Sequence, residues 1–464
     1  MRPPSYTLLA AALLAGLAHP IASRAAELDG PAKARIDHAV EAVLTETGAP
    51  SASIAVITDG KIAYVQAYGL ARLSPPVRAT PATRYQIASL SKQLVGAAAL
   101  VAQQDGKLSL DDPVARWLPE LASADRITVR QLLTHTSGYS DNWPQDYLVA
   151  PMQAPTTTGA LLGAWAKRPL DFAPGTDQQY SNTGYAVAGR IIERATGQPL
   201  APYVEARVLR PVGVTDAWDV NVKPLRAPDA AGYERPALGP FRPVADAGAG
   251  WAFGAWQFAL TAEDLAKWDL SLIGRTLLKP ESYVQEFETY KLSGGKDTHY
   301  ALGLYVTNAG GRRTLSHGGE GAGYLSENRV YPDDKAAVVV LTNAIAGAPQ
   351  TEIADRLAEI ILPADPVDAR LRALFIGLQS GKPDRNAFTA NFNAWLDPAA
   401  AAQFARTLGP LGAPDLFHRL GAFDRGGMKA YAYKVVAGGQ TLSLSVFLLP
   451  DGKVEQFLVS KAAE

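Results

Sequence analysis

A hydroxyl and an amine three residues apart are the first chemistry this chain offers: Ser89-Leu90-Ser91-Lys92. On a helix that spacing puts both side chains on one face. A serine becomes a nucleophile only when a base takes its proton. A lysine can be that base when burial disfavours its ammonium form and lowers its pKa from about 10.4. The residues that follow include Leu94, Val95, Ala98, Leu100 and Val101. They make a helix from about Ser89 to Gln104 that is apolar nearly all round, hence buried. Ser89 falls at its start, where free N–H groups favour negative charge. The spacing recurs at Ser293-Gly294-Gly295-Lys296, where glycines and a loop leave nothing to orient it. Spacing alone also permits a blander reading, a helix cap with a snorkelling lysine.

Two further groups carry chemistry. Tyr180-Ser181-Asn182 follows Pro174-Gly175 and precedes a helix. A phenol beside a lysine can shuttle protons to a leaving group, and Asn182 can hold the lysine or a substrate carbonyl. Taken alone, the group reads rather as an ordinary N-cap, Ser181 or Asn182, with a packed tyrosine. His317-Gly318-Gly319 is expected to end a strand and enter a glycine-rich turn, where a substrate backbone can come close. The N–H of Glu320 could then pair with that of Ser89 as an oxyanion hole.

In combination, and in this order, the three groups resemble the serine beta-lactamases and penicillin-binding DD-peptidases. The nearest likeness is to the branch holding class C beta-lactamases, esterases and D-aminopeptidases. Gln131-Leu132-Leu133-Thr134-His135-Thr136-Ser137-Gly138, Phe172-Ala173-Pro174-Gly175, Thr261-Ala262-Glu263-Asp264-Leu265-Ala266 and Leu341-Thr342-Asn343 fit the same pattern. The resemblance spans residues 30–362, give or take a few. It implies an acyl-enzyme on Ser89, with Lys92 and Tyr180 sharing the general-base role. It places Asn182, His317, Gly319 and Glu320 against the substrate and calls for no metal or cofactor. His317 stands where beta-lactamases carry the lysine of Lys-Thr-Gly, whose charge holds a carboxylate. A histidine is mostly neutral near pH 7, so ester or amide hydrolysis ranks above beta-lactam or cell-wall peptide hydrolysis. The reading from another class is a non-catalytic penicillin or peptide binder. Trp251, Phe253, Trp256 and Phe258 either line an acyl pocket or pack a long loop.

The elements that must position these residues can be read in outline. Ser53–Thr58 and Lys61–Tyr68 flank Asp59-Gly60, a two-residue hairpin signal. A mostly helical stretch follows to about residue 220, and 221–260 reads as irregular. Strands return at Tyr300–Val306, Thr314–His317, Arg329–Tyr331 and Ala336–Thr342, before a helix over Glu352–Ile361. That order gives an α/β fold: a DD-peptidase/beta-lactamase-like antiparallel sheet flanked by helices, with an inserted helical subdomain. A serine hydrolase domain over 27–362 is thus expected, then a linker at 363–369. Residues 370–464 would form a small accessory α+β domain of about 95 residues, cystatin-like or lipocalin-like by resemblance. Its strands are expected at Lys429–Val436, Thr441–Leu449 and Val454–Val459, and its His418 and Asp424 read as structural.

Composition excludes much. With 44 basic and 45 acidic residues the net charge is -1, so no nucleic acid or anionic membrane is expected as partner. There is no cysteine, which excludes thiol nucleophiles, thiolate metal sites and lipoprotein attachment. The six histidines show no metal-ligand spacing. Arg2, the apolar run Thr7–Ala18 and small residues at Ala22, Ser23, Ala25 and Ala26 read as a signal peptide over 1–26. The run is shorter than the roughly 20 residues a membrane span needs. The mature chain is expected to be exported, periplasmic or secreted. Its partner would be a small ester, amide or peptide substrate.

Overall fold

The computed structural model describes residues 28–462 except 146, 310 and 311. The expected signal peptide lies outside the described residues. The Asp59-Gly60 hairpin forms as its dipeptide demands. Both residues have positive φ, 50° and 70°, as a right-handed-twist-compatible turn requires. It joins Ser51–Thr58 to Lys61–Leu73, which is longer than expected. These strands enter a seven-stranded sheet in the order Pro76–Arg78, Lys61–Leu73, Ser51–Thr58, Ala336–Thr342, Tyr324–Tyr331, Arg312–Gly321, Tyr305–Ala309. The pairings are antiparallel throughout.

The two central strands are apolar on both faces because both faces are covered. Ile54, Val56, Val338 and Val340 pack under helices Gly30–Thr47 and Pro349–Ile361 with Ile36, Val40, Ile353 and Leu357. Their alternates Ala55, Ile57, Val339 and Leu341 face the larger core, which the helix Ser91–Gln104 enters. Period-two alternation thus splits one continuous apolar run between two layers.

The helical subdomain is inserted between the two strand sets as expected, although its helices are short. Val129–Leu133 has a full capping box from Thr128 and Gln131. Asn182–Thr196 begins at the N-cap Ser181 and ends at Gly197. Ala262–Gly274 is capped by Thr261. The stretch read as irregular holds the short strands Tyr233–Glu234, Arg242–Pro243 and Phe258–Leu260. The Ser293–Lys296 repeat of the Ser-x-x-Lys spacing lies in a turn bridged by Lys291 and Asp297.

Two strand expectations need correction. Tyr300–Val306 is not one strand. Ala301 and Leu304 close a turn first, and the strand begins at Tyr305. The turn exists to meet the helix Ser91–Gln104: a Cβ on Gly96 would lie 2.3 Å from the Leu302 carbonyl oxygen. Nor does the strand of His317 stop there; it runs on to Gly321. Gly319 stays in register because it has no side chain. A Cβ there would lie 2.1 Å from Ser326 Oγ and 2.5 Å from the Ile87 carbonyl oxygen.

A buried polar chain ties the same helix to the sheet. Trp268 Nε1 donates to Gln93 Oε1 at 2.9 Å, and Gln93 Nε2 to Asn328 Oδ1 at 3.1 Å. Asn328 Nδ2 then donates to Asp269 Oδ1 at 2.6 Å. Every link is buried, so breaking one strands its neighbour without water.

The C-terminal segment builds its own core. Strands Leu416–Arg425, Met428–Ala437, Gln440–Leu448 and Val454–Lys461 form an open antiparallel sheet. Helices Pro366–Gln379, Ala390–Trp395 and Pro398–Leu408 accompany it. Phe375, Phe392, Tyr433, Val446 and Phe457 lie in its interior. Four open strands are half of a lipocalin's closed eight, so the lipocalin-like alternative is set aside. The linker is also shorter than expected. Asp365 accepts from Val367 and Asp368 N–H, and Pro366 occupies the first helical turn, where its missing N–H costs nothing. The segment is tied to the helix Pro349–Ile361, where Glu359 accepts from Phe417 N–H at 2.8 Å.

Filling the closest of these approaches should be measurable. Gly96→Ala is expected to destabilise the chain by about 1–3 kcal/mol through overpacking, read from urea unfolding. An unchanged midpoint would show that the helix can slide away from Leu302.

Candidate active site

Ser89 lies in a 3₁₀ turn, Ala88–Leu90, that runs straight into the helix Ser91–Gln104. It therefore precedes the regular helix rather than opening it. Ala88 holds φ at 47°, a left-handed conformation costly for a residue with a Cβ. The strain persists because the turn is pinned. Ile87 N–H donates to the Phe258 carbonyl at 3.1 Å, and the Ile87 carbonyl accepts from Ser326 Oγ at 2.9 Å.

Lys92 is fully buried. Its Nζ lies 3.0 Å from Ser89 Oγ, 2.8 Å from Asn182 Oδ1 and 3.0 Å from the Ala255 carbonyl oxygen. Burial lowers its pKa from 10.5 to about 7, and the Asp141 carboxylate pulls weakly the other way. Asp141 also fixes Asn182. Its Oδ1 accepts from Asn182 N–H at 3.0 Å, and its Oδ2 faces Asn182 Nδ2 at 3.4 Å. With the amide nitrogen turned to the acid, the amide oxygen must face the lysine.

Tyr180 joins this cluster. Lys92 Nζ sits 4.8 Å from its ring centre. The hydroxyl is buried and takes no well-aligned hydrogen bond. Burial pushes the phenol pKa well up, against the pull of the neighbouring Ser89 hydroxyl. A phenol held neutral relays a proton; it does not store a negative charge.

His317 is buried and its two nitrogens are both engaged. Nδ1 meets the carbonyl of Gly318, an acceptor only, so Nδ1 carries the proton. Nε2 then accepts from the Tyr300 hydroxyl at 2.9 Å. Burial, then the Lys92 charge, lowers its pKa to about 3 despite the Gly318 carbonyl. It offers the cleft neither a charge nor a spare N–H.

All seven residues singled out in the sequence meet at one place. Ser89, Tyr180, Asn182, His317, Gly319 and Glu320 line a cleft of about 600 Å³, with Lys92 in its floor. The side chain of Glu320 is exposed at its rim. Four participants were missed: Asp141, Trp143, Tyr300 and Tyr305. Asp141 and Trp143 lie three and five residues beyond Gly138, so the helix-to-loop segment already pointed at them. Of the four loop aromatics, Trp256 lines the cleft and packs on Trp143 with ring centres 4.9 Å apart. Phe253 and Phe258 are buried in the core, and Trp251 Nε1 donates to the Ala154 carbonyl. A cavity of about 680 Å³ lies beside the C-terminal segment, with His418 in its wall. Its arginines and lysine are ion-paired.

Known proteins resemble this chain over much of its length. A D-aminopeptidase of Brucella anthropi is 28% identical over 321 residues, covering 68% of this chain and 59% of the relative. Esterase EstB of Burkholderia gladioli is 36% identical over 211 residues, 42% of this chain and 53% of the relative. The chain thus spans little more than half the length of these curated relatives. A D-stereospecific amidohydrolase from Streptomyces sp. superposes with a TM-score of 0.59 at 26% identity, over 69% of this chain and 97% of that one. An octameric penicillin-binding protein homologue from Pyrococcus abyssi shares the fold alone, at 20% identity and a TM-score of 0.61. That likeness covers 92% of this chain and 99% of the other, and so extends into the C-terminal segment. Residues 36–362 match the Beta-lactamase family as a whole, and with the Ser89–Lys92 pair and its cleft in place, the chain belongs to that family.

Proposed function

We propose that this protein is a serine hydrolase that cleaves an ester or amide bond through an acyl-enzyme on Ser89. One observation carries the reading: the partners of Lys92 Nζ. A neutral amine has two N–H bonds and one lone pair. Asn182 Oδ1 and the Ala255 carbonyl oxygen are acceptors only and take both N–H bonds. The lone pair is left for the Ser89 hydroxyl at 3.0 Å. The amine accepts that proton as Ser89 Oγ bonds to the substrate carbonyl carbon. The resulting ammonium, through Tyr180, protonates the leaving alcohol or amine as its bond to carbon breaks. A water then attacks the acyl carbon, giving one proton to the Lys92–Tyr180 pair, and that proton passes to Ser89 Oγ as the acyl–oxygen bond breaks and the carboxylic acid leaves.

The oxyanion would rest on the N–H groups of Ser89 and Glu320. Support comes from Gly319, whose missing side chain lets the strand lie against the Ile87 carbonyl two residues before Ser89. Two fixed donors of this kind are often the largest catalytic contribution.

His317 sets the expected substrate. A neutral imidazole with both nitrogens occupied cannot hold a carboxylate, and among the described residues the cleft walls add Asp141 and Glu320 and no lysine or arginine besides the buried Lys92 of the floor. Neutral acyl donors are therefore favoured over beta-lactams and carboxylate-ended peptides. The Trp143–Trp256 pair suits an apolar or aryl acyl group. Export rests on the N-terminal reading. Among the described residues no helix is long and apolar enough to cross a membrane.

The test is a fluorophosphonate probe with a substrate panel. The probe should add one adduct at Ser89, absent in Ser89→Ala. Neutral nitrophenyl esters should be turned over at least about tenfold faster than carboxylate-bearing analogues or a cephalosporin. Labelling without turnover of any substrate would favour the non-catalytic binder; no Ser89 adduct would end the proposal.

The acid limb of kcat/KM should lie near pH 7, since activity needs the unprotonated lysine. Asp141 raises the pKa of Lys92, so Asp141→Asn should move that limb to lower pH. A limb unmoved or shifted upward would contradict the assignment.

A further inference from the structure

We propose that His135 is the residue that sets Tyr180 against the Ser89–Lys92 pair, a positioning residue acting through the phenol. The inference rests on the serine-hydrolase reading above. Three separate attachments converge on one tyrosine. The His135 carbonyl accepts the N–H of Gln179 at 3.0 Å. Its Nδ1 accepts the N–H of Ser181 at 3.1 Å. Its ring lies on the Tyr180 ring, centres 4.2 Å apart and tilted by 35°. The residues on both sides of Tyr180 are thus bound to one residue, and the phenol lies on that residue's side chain.

The arrangement is held at a cost that simple packing does not require. His135 has φ 60°, in the left-handed region where histidine, asparagine and aspartate are enriched among residues with a side chain but which stays uncommon. Because Nδ1 accepts, the neutral ring carries its proton on Nε2, which is buried and has no hydrogen-bond partner. An apolar side chain would fill the space without stranding a donor. It would also leave the Ser181 N–H without an acceptor and the tyrosine free to turn. Burial above all holds the imidazole neutral, the form whose Nδ1 can accept.

His135 also spans the site. Its ring lies 4.7 Å from that of Tyr300, whose hydroxyl donates to His317 Nε2. One side chain therefore sets the spacing between the Tyr180 wall and the His317 wall of the cleft.

Two variants test this on a nitrophenyl ester that the wild type hydrolyses. His135→Ala removes the Nδ1 acceptor and the ring. His135→Asn keeps an acceptor near the Nδ1 position and tolerates positive φ, losing only the ring. The Ala variant should lose about 100-fold in kcat, the range of a misplaced general acid or base, with KM within about threefold. The Asn variant should recover about tenfold of that loss. Fluorophosphonate labelling of Ser89 should slow in the same order. Wild-type kcat and labelling rate in either folded variant would overturn the proposal. So would an Asn variant that loses as much kcat as Ala while keeping the wild-type melting temperature. If the Ala variant does not fold, the Asn variant decides, with a kcat loss of about tenfold at unchanged KM expected. Absence of a Ser89 adduct in the wild type itself would instead sink the hydrolase reading.

Discussion

The amine of Lys92 is buried, and much of the molecule is arranged to keep it so. Removing an ammonium from water is among the more costly things a fold can do, and proteins commonly answer by giving up the proton. Here the helix Ser91–Gln104 is buried almost throughout. Asn182 and the Ala255 carbonyl supply acceptors for its N–H bonds. Asp141 stands behind Asn182 rather than against the lysine, so it fixes the amide without forming the ion pair that would keep the lysine charged.

Other features follow from that arrangement. The strained Ala88, the side-chain-free Gly319 and the tight contact at Gly96 bring a helix, a strand and a turn closer than ordinary packing allows. Distances of about 3 Å among hydroxyl, amine and amide need such close approach, since a shift of about 1 Å can cost 100-fold in rate. The neutral His317 fits the same electrostatics. A cation at its position would face a lysine that must itself lose charge, and the protein uses an uncharged imidazole there.

Much of this was legible in the chain, for identifiable reasons. Asp59-Gly60 announced the hairpin because only residues tolerant of positive φ make that turn. Ser181 and Thr261 announced helix starts because their side chains replace missing backbone partners. Ala336–Thr342 matched residue for residue, since a doubly buried strand is an unbroken apolar run. What stayed hidden depends on tertiary contact. Glycines at 318 and 319 read locally as a turn, but the approach of Ser326 and Ile87 makes them part of a strand. Tyr300 read as strand because nothing local reveals that Leu302 must meet Gly96. The strand Leu416–Arg425 and the helix Pro398–Leu408 were missed. The first is interrupted by Gly421 and exposed from Leu420 onward, and the second is alanine-rich with little buried face. Asp141 stands three residues beyond a segment that carried the resemblance, but only the fold shows it gripping Asn182.

The central claim is that Lys92 is an uncharged amine at working pH. Nuclear magnetic resonance of the chain carrying isotope-labelled lysine methylene carbons, with the Lys92 signal assigned by its loss in Lys92→Arg, reads this directly. The account predicts that this resonance titrates near pH 7, well below the usual lysine value of about 10.4. A Lys92 resonance titrating at the usual lysine value would contradict it.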